Sequence, residues 1–474
     1  MTETNLPGAT AVPNEFLVRP AQAEGAHAAH RDHTHSDRAD ACAPAASART
    51  VAEQLAVILA DLKPLVPVRV PLDAARGLVL AEDVLSATDT PPFDNSAMDG
   101  YAVIRADLLG ASAQNPINLP VVADLAAGTA ENPHLMPGQV ARIMTGAPIP
   151  DGTDAVVPIE DTDQGTDRVT IVRAPTAAAH VRRAGEDAHA GDRVLGAGSV
   201  LWPTRVAAAA SAGTSSVLVH PAPRVAVIST GSELVTPGSP TRRGQIPDSN
   251  SFLLAAAVTE AGGVAIRVGA VPDDDDTLRA LLTDLAGTVD VIVLSGGVSV
   301  GAYDVVKAVL QPLGTVHFGP VKMQPGKPQG FGRWPATENV PGPLIFALPG
   351  NPVSAYVSFE VFVRPALRRL LGHPELHRRT ITATVADGWN SPPGRAQYMP
   401  VIVTHRTDSG TETGTDTDTD GTRDGTHIEV RPASRGGSGS HLVAGLAQAT
   451  GLAIVSEDTT HVRGGDLITV MLSS

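Results

Sequence analysis

RVAVISTGSEL (224–234), AIRVGAVPDDDD (265–276), DVIVLSGGVSVGAYD (290–304) and PLIFALPGNPVS (343–354) decide the fold. Each begins as a short apolar run and ends in a turn of Gly, Pro, Ser or Asp. That pattern predicts strands buried on both faces. The helical patterns SFLLAAAVTEAGG, DTLRALLTDLAG, DVVKAVLQPLG and PVSAYVSFEVFV alternate with them. Asp276 and Asn351 stand at expected N-cap positions, and Pro352 stands at a first helical position. Gly262, Gly287 and Gly314 fall where helices should stop. Pro365 has no amide N–H and is expected to break the last helix in two. The alternation over 222–372 implies a doubly wound, mostly parallel α/β domain.

Outward from this core the pattern changes. Residues 373–474 carry the strand signals TITATVADGW, YMPVIVT, HIEVRP, GLAIVSED and DLITVMLSS, which predict a small C-terminal β domain. The Thr/Asp/Gly stretch TDSGTETGTDTDTDGTRDGT interrupts it; without EF-hand spacing it reads as a hairpin insertion, not a calcium site. On the other side, short apolar runs between turns predict an inserted β domain over 89–179. Its flanks, 49–88 and 180–221, return to helical patterns and form one discontinuous helical domain. Residues 1–48 show no apolar periodicity and read as a disordered tail. His27, His30, His33 and His35 there permit either a metal-binding tract or a plain solvated tail.

Composition removes several classes. A formal net charge of −15 argues against a general electrostatic grip on nucleic acid or an anionic membrane surface. With 46 Gly, 39 Pro and 3% aromatic residues, long coiled coils and uninterrupted bundles are poor candidates. No apolar run approaches the roughly 20 residues needed to span a bilayer. MTETNLPGATAVPNEF has neither the basic nor the apolar region of a signal peptide. The single cysteine, Cys42, cannot form an intrachain disulfide, which fits a cytoplasmic location.

In a doubly wound sheet, ligands bind outside the carboxyl ends of the strands. Those ends here carry Ser229, Thr230, Gly231 and Glu233; then Asp273; then Ser295, Gly296, Gly297, Ser299 and Asp304; then Pro349 and Pro352. Gly-rich turns that open helices offer backbone N–H groups to a phosphate or oxyanion. Glu233, Asp273 and Asp304 are carboxylates at neighbouring strand ends, a set suited to Mg²⁺ bridging to phosphate. The structural alternative makes Asp273 an N-cap and Asp304 a first-turn helix acid. There is no G-x-G-x-x-G with a following acid and no G-K-[ST], so classical NAD enzymes and P-loop NTPases are set aside. No cysteine nucleophile is available outside the tail.

PPFDNSAMDGYAV (91–103), RIMTGAPIPDGTDAVVPIED (142–161), RRAGEDAHAGD (182–192), STGSEL, GQIPDSN, SGGVSVGAYD, PGKP, LPGNPVS and GSH (439–441) follow one another in this order. In this the chain resembles the MoeA/gephyrin E-domain family, the molybdopterin molybdenumtransferases, from about residue 50 to the end. The resemblance implies a helical domain split by a β domain, a MogA-like molybdopterin-binding α/β domain, a C-terminal β domain, and a homodimer with sites shared between subunits. It implies that adenylated molybdopterin and molybdate are substrates, that AMP is released, and that Mg²⁺ is required. Other cofactor-biosynthesis proteins and apo-molybdoenzymes are implied partners. The family's functional acids fall on Asp94, Asp187, Glu233, Asp273 and Asp304, its threonine on Thr145, its loop prolines on Pro349 and Pro352, and its serine on Ser440. Asp248 and Asn250 match the turn beside the ligand. One departure stands out: where relatives often carry basic residues before PGKP, this chain has Pro320 and Gln324, leaving Lys322 and Lys327 for the anion. The competing readings are a MogA-like adenylyltransferase, a CinA-like nucleotide hydrolase and a non-enzymatic gephyrin-like scaffold.

Overall fold

The computed structural model describes residues 48–298, 304–336, 341–407, 426–434 and 439–473. The His-containing tail, most of the Thr/Asp/Gly stretch, and Ser299 lie outside the described residues. The central layer is built from Arg224–Thr230 (β1), Asn250–Glu260 (α1), Val264–Val271 (β2), Asp275–Ala286 (α2), Val291–Ser295 (β3) and Val305–Leu310 (α3). Val316–Pro320 (β4), Pro328–Arg333 (β5), Leu344–Leu348 (β6), Pro352–Ser358 (α4) and Arg364–Leu370 (α5) complete it. The sheet order is β2-β1-β3-β6-β5-β4. β2, β1, β3 and β6 are parallel, and β5 runs against both of its neighbours.

Alternate side chains feed two cores. Val225, Val227, Val291, Val293, Leu344 and Phe346 pack with Leu254 of α1 and Val357 of α4 on one face. Ala226, Ile228, Ile292, Leu294, Ile345 and Ala347 pack with Leu278 of α2 and Val305 of α3 on the other. Burial on both faces explains why these strands read as continuous apolar runs.

β4 and β5 give no such signal, because their sequences, VHFGP and PQGFGR, are broken by Gly and Pro. The glycines are there for space. A Cβ on Gly332 would lie 2.1 Å from the Thr315 carbonyl oxygen, and one on Gly330 would lie 2.6 Å from the Phe318 ring. Only a bare backbone admits such an approach.

Two helix-end expectations change, and a third holds by position alone. The cap of α2 is Asp274, whose side chain accepts from Thr277 N–H, not Asp276. Asn351 holds the cap position of α4, but its amide donates to Ser440 Oγ in the C-terminal domain (2.9 Å). Pro365 does not break the helix: the π-turn Phe359–Val363 joins α4 to α5. The wider turn absorbs the N–H that Pro365 lacks and relieves the clash of its ring with the preceding turn.

Helix Val51–Leu59, opened by a Thr50–Glu53 capping box, lies against the central layer, with Ile58 and Leu62 in the same core as Leu344 and Leu370. Beyond it, Val68–Pro71 and Val79–Leu80 flank Ser216–His220 in a small sheet packed against helix Pro203–Ser211. The β lobe is a five-stranded sheet in the order Ala155–Pro158, Gly100–Val103, Val140–Ile143, Ile117–Leu125, Arg168–Ile171. Tyr101 is fully buried in it and donates to the Gly165 carbonyl (2.9 Å). At the C-terminal end, Ala396–Thr407, Thr426–Pro432, Thr380–Val385, Leu467–Leu472 and Gly451–Val455 pair in that order, and the last pairs back with the first, closing a barrel. Among the described residues no helix is long and apolar enough to cross a membrane.

A buried ion cluster joins barrel and central layer. Arg378 forks onto both oxygens of Glu360 in the π-turn (2.8 and 3.0 Å) and reaches Glu260 at the end of α1 (2.6 Å). Arg378→Met should leave the buried Glu360 carboxylate with only its longer contact to Arg364 (3.9 Å) and lower stability by about 3 kcal/mol, read as a denaturant midpoint at neutral pH. The hydrogen bond from Arg378 holds the Glu260 carboxyl below its ordinary 4.5. Its share of the stability is therefore complete above 4.5 and is lost as pH falls through the lowered value, so the gap between wild type and variant should narrow in acid.

Candidate functional site

The carboxyl ends of β1, β3 and β6 meet in a floor of small residues. Gly296 has φ of +105°, and a Cβ there would lie 2.6 Å from the Thr230 carbonyl oxygen. A Cβ on Gly350 would lie 3.4 Å from the Gly296 Cα, so the two turns pass close to one another. Asn250, at the start of α1, binds this floor together: its amide donates to Ser295 Oγ (2.7 Å) and to the Gly350 carbonyl (2.6 Å), while Ser295 Oγ donates to Pro349 O (3.4 Å). Pro352 follows as the first residue of α4.

Several expected ligand donors prove to be engaged by the fold itself. Asp248 is buried and accepts from Ser229 Oγ (2.9 Å), Ser251 N–H (3.0 Å) and Ser251 Oγ (2.5 Å). Ser229 and Asp248 are thus an internal brace. The Gly231 and Gly296 N–H groups donate to Val271 O and Leu348 O. What remains for a ligand is the Thr230 hydroxyl and Asn250 Oδ1, both buried and without a hydrogen bond among the described residues. A buried polar atom left in this state costs free energy unless a ligand or water completes it.

The acids lie along the rim. Asp273 accepts from Ser232 N–H (2.9 Å), and Ser232 Oγ accepts from Asp273 N–H (3.1 Å), so this carboxylate is fixed beside the first turn. It does not cap α2; that is Asp274. Glu233 is exposed and folds back over Gly231, its carboxylate 2.5 Å from where a Cβ would stand. Asp304 is the residue before α3. Among the described residues no three His, Cys, Asp or Glu side chains stand close enough to hold an ion by themselves, so the expected ligand set of Glu233, Asp273 and Asp304 is not assembled. A Mg²⁺ ion that keeps its waters needs only one or two carboxylates beside a phosphate, a lesser demand that an exposed rim acid meets.

The two lysines separate. Lys322 lies beside Arg49 and Glu53, its N–H donating to Arg49 O (2.7 Å) and its ammonium helping to hold the Glu53 carboxyl down, after the larger effect of the Thr50 hydrogen bonds. Lys327 instead stands between two cavities. One, of about 750 Å³, opens between the PGKP turn and the C-terminal barrel, with Lys327, Arg395, Ser440 and His441 on its walls and no carboxylate among the described ones. The other, of about 400 Å³, lies on the α3 side. Arg395 donates to Gln324 Oε1 (3.3 Å), bringing a guanidinium to one of the two positions where the PGKP loop lacks a base. No local motif marks Arg395 in the sequence.

Asp94, Thr145 and Asp187 belong to the other lobe, and their hydrogen bonds stay there. Asp94 accepts from Ala184 N–H (2.8 Å) and from Arg183, and these hold its carboxyl below the usual range, the Ala184 N–H most strongly. Thr145 donates through both N–H and Oγ to Asp99 (2.7 Å each), which lowers the Asp99 carboxyl in turn. Asp99 went unremarked inside DNSAMDGYAV, though it is the partner that sets Thr145. Asp187 is exposed on a cavity of about 530 Å³ shared with Thr90, Asp192 and Arg193.

Known proteins carry the same arrangement. Residues 49–213 match the MoeA N-terminal region (domain I and II), and residues 226–369 match a probable molybdopterin binding domain. Molybdopterin molybdenumtransferase 2 of Mycobacterium tuberculosis is 43% identical over 428 residues, covering 89% of this chain and 99% of its own. The molybdopterin molybdenumtransferase of Haemophilus influenzae is 33% identical over 400 residues, covering 84% and 92%. The crystal structure of the molybdopterin biosynthesis MoeA protein from Pyrococcus horikosii superposes with a TM-score of 0.70 at 30% identity, covering 90% of this chain and 99% of that one. With the order of its domains, its motifs and near-complete coverage of these relatives all in agreement, the chain belongs to the MoeA family of molybdopterin molybdenumtransferases.

Proposed function

We propose that this chain, as a cytoplasmic homodimer, inserts molybdate into adenylated molybdopterin with release of AMP, and hands the cofactor on to apo-molybdoenzymes. The observation that carries this reading is the 750 Å³ cleft, where Lys327, Arg395, Ser440 and His441 gather donors without a counter-charge, next to the strand-end floor. A tetrahedral oxyanion suits the cleft, because charge-assisted hydrogen bonds from a guanidinium and an ammonium are strongest out of bulk water. The floor suits the organic partner: Asn250 Oδ1 accepts from a ring N–H or amine, and the Thr230 hydroxyl meets a phosphate or ring oxygen.

In this reading the anhydride between the two phosphates is cleaved by one water. Its oxygen bonds to one phosphorus, the bridging oxygen leaves on the other phosphate, and a rim carboxylate takes the proton. A hydrated Mg²⁺ arriving with the phosphates, held by one or two of Glu233, Asp273 and Asp304, would neutralise the charge that develops on the leaving phosphate. The two thiols of the dithiolene then form two Mo–S bonds while one Mo–O bond breaks, and that oxygen leaves as water with the two thiol protons. Lys327 and Arg395 hold the oxyanion in place while this exchange occurs.

Mass spectrometry of the pterin product, with chromatography of AMP, tests the proposal after incubation with adenylated molybdopterin, Mg²⁺ and molybdate. Molybdenum-loaded pterin and stoichiometric AMP are expected; intact substrate would refute it. Asp304→Ala and Glu233→Ala should each lower AMP release by about a hundredfold or more while the thermal midpoint stays within a few degrees. Arg395→Ala should raise the molybdate concentration needed for half-maximal insertion about tenfold and leave AMP release from saturating substrate unchanged.

In this reading the dimer brings Asp94 of one chain and Asp304 of the other to one site, since the hydrogen bonds described for Asp94, Thr145 and Asp187 all go to partners in their own lobe. Asp94→Ala and Asp304→Ala homodimers should both be impaired. When the two chains are co-expressed, half the dimers are mixed and hold one intact site each, so roughly a quarter of wild-type activity should return. No recovery above the single variants would place Asp94 in its own chain's site.

A further inference from the structure

The 400 Å³ cavity on the α3 side has a role that the anion cleft does not fill. Its walls are apolar: Val298 beyond the end of β3, Phe318 and Pro320 of β4, and Pro328 of β5. Two ammonium groups stand at it, Lys307 from α3 and Lys327 from the PGKP turn, and no carboxylate is among its described walls. Neither lysine makes an ion pair among the described residues. Lys307 stands one helical turn after Asp304, on the same side of α3, so the cavity adjoins the rim. Two like charges on an oily slot repel one another unless something between them carries the opposite sign.

The geometry points to a binding site for a phosphate ester on a flat fused-ring heterocycle, with the ring between Phe318 and the prolines and the phosphate between Lys307 and Lys327. Lys307 thereby provides, from a helix, the charge that Pro320 cannot give and that Lys322, turned toward Glu53, does not bring. This rests on the functional reading above and deepens it by saying where one phosphorylated half of the substrate lies. Both halves have this chemistry, a purine nucleotide and a pterin phosphate. The ring slot and the paired lysines recognise what they share.

Isothermal titration of the full chain without molybdate separates the two sources, using AMP in one arm and neopterin monophosphate in the other, with adenosine and neopterin as the uncharged counterparts. Lys307→Ala should weaken at least one phosphorylated probe about tenfold and leave its uncharged counterpart unchanged. Lys307→Arg should restore binding to within about threefold, and the loss should shrink at high salt. The arm that responds names the half bound here. Wild-type affinity for both probes in Lys307→Ala, a loss from Lys322→Ala instead, or a wild-type chain that binds neither probe would overturn the inference. Product formation is not read in this titration. Insertion that proceeds with Lys307 irrelevant to binding sinks only this site, whereas Lys307-dependent binding without insertion sinks only the functional reading.

Discussion

The buried carboxylate of Asp248 determines whether the strand ends form a site at all. It accepts a hydroxyl from the end of β1 and both the amide and hydroxyl of Ser251 in the first turn of α1. Held this way, α1 starts at one angle only, and Asn250 one residue earlier is aimed across β3 toward β6. A buried carboxylate without its donors would be expensive, so the three contacts stand or fall together. From that lashing follow the close approach of Gly296 to Thr230 and the burial of Thr230 Oγ1 and Asn250 Oδ1 without a hydrogen bond among the described residues.

The barrel is equally part of the site. Met323–Gln324 runs alongside Ala396–Gln397 as an extra strand, so the PGKP turn is stitched to the C-terminal domain at its root. Asn351 to Ser440, Val353 N–H to Ser440 O, and Arg395 to Gln324 repeat the connection around the cleft. Behind them the Arg378 cluster ties the barrel's first strand to the π-turn. The cationic and polar groups that two domains bring to the cleft are thereby held at fixed separations, which is the condition for pre-organised charge stabilisation.

How far the sequence can be read depends on burial. β1, β3 and β6 were legible because both faces are covered and their central residues are all apolar; β4 and β5 were not, since their glycines answer a demand for backbone contact that leaves no period behind. Motif reasoning picks out the residues at the strand ends, but only the structure shows which of them the fold itself already engages. Asp248 and Ser229 read like binding residues and turn inward, while Arg395 and Lys307, with no motif around them, line the cavities. Charge in this fold is placed by tertiary geometry: Lys322 and Lys327 are five positions apart and serve different surroundings. The metal raises the same point: adjacent strand ends suggest three acids together, whereas among the described residues no three such side chains stand close enough to hold an ion by themselves.

Lys327 belongs to the walls of both the cleft and the slot. One ammonium carries one positive charge, so an anion that settles in either compartment reduces the attraction left for an anion in the other. Thermodynamic reciprocity then requires each occupant to alter its neighbour's affinity by the same factor, whichever arrives first. If the two compartments take the anions proposed above, the shared lysine links them, and the departure of a phosphate from one frees charge for the oxyanion next door.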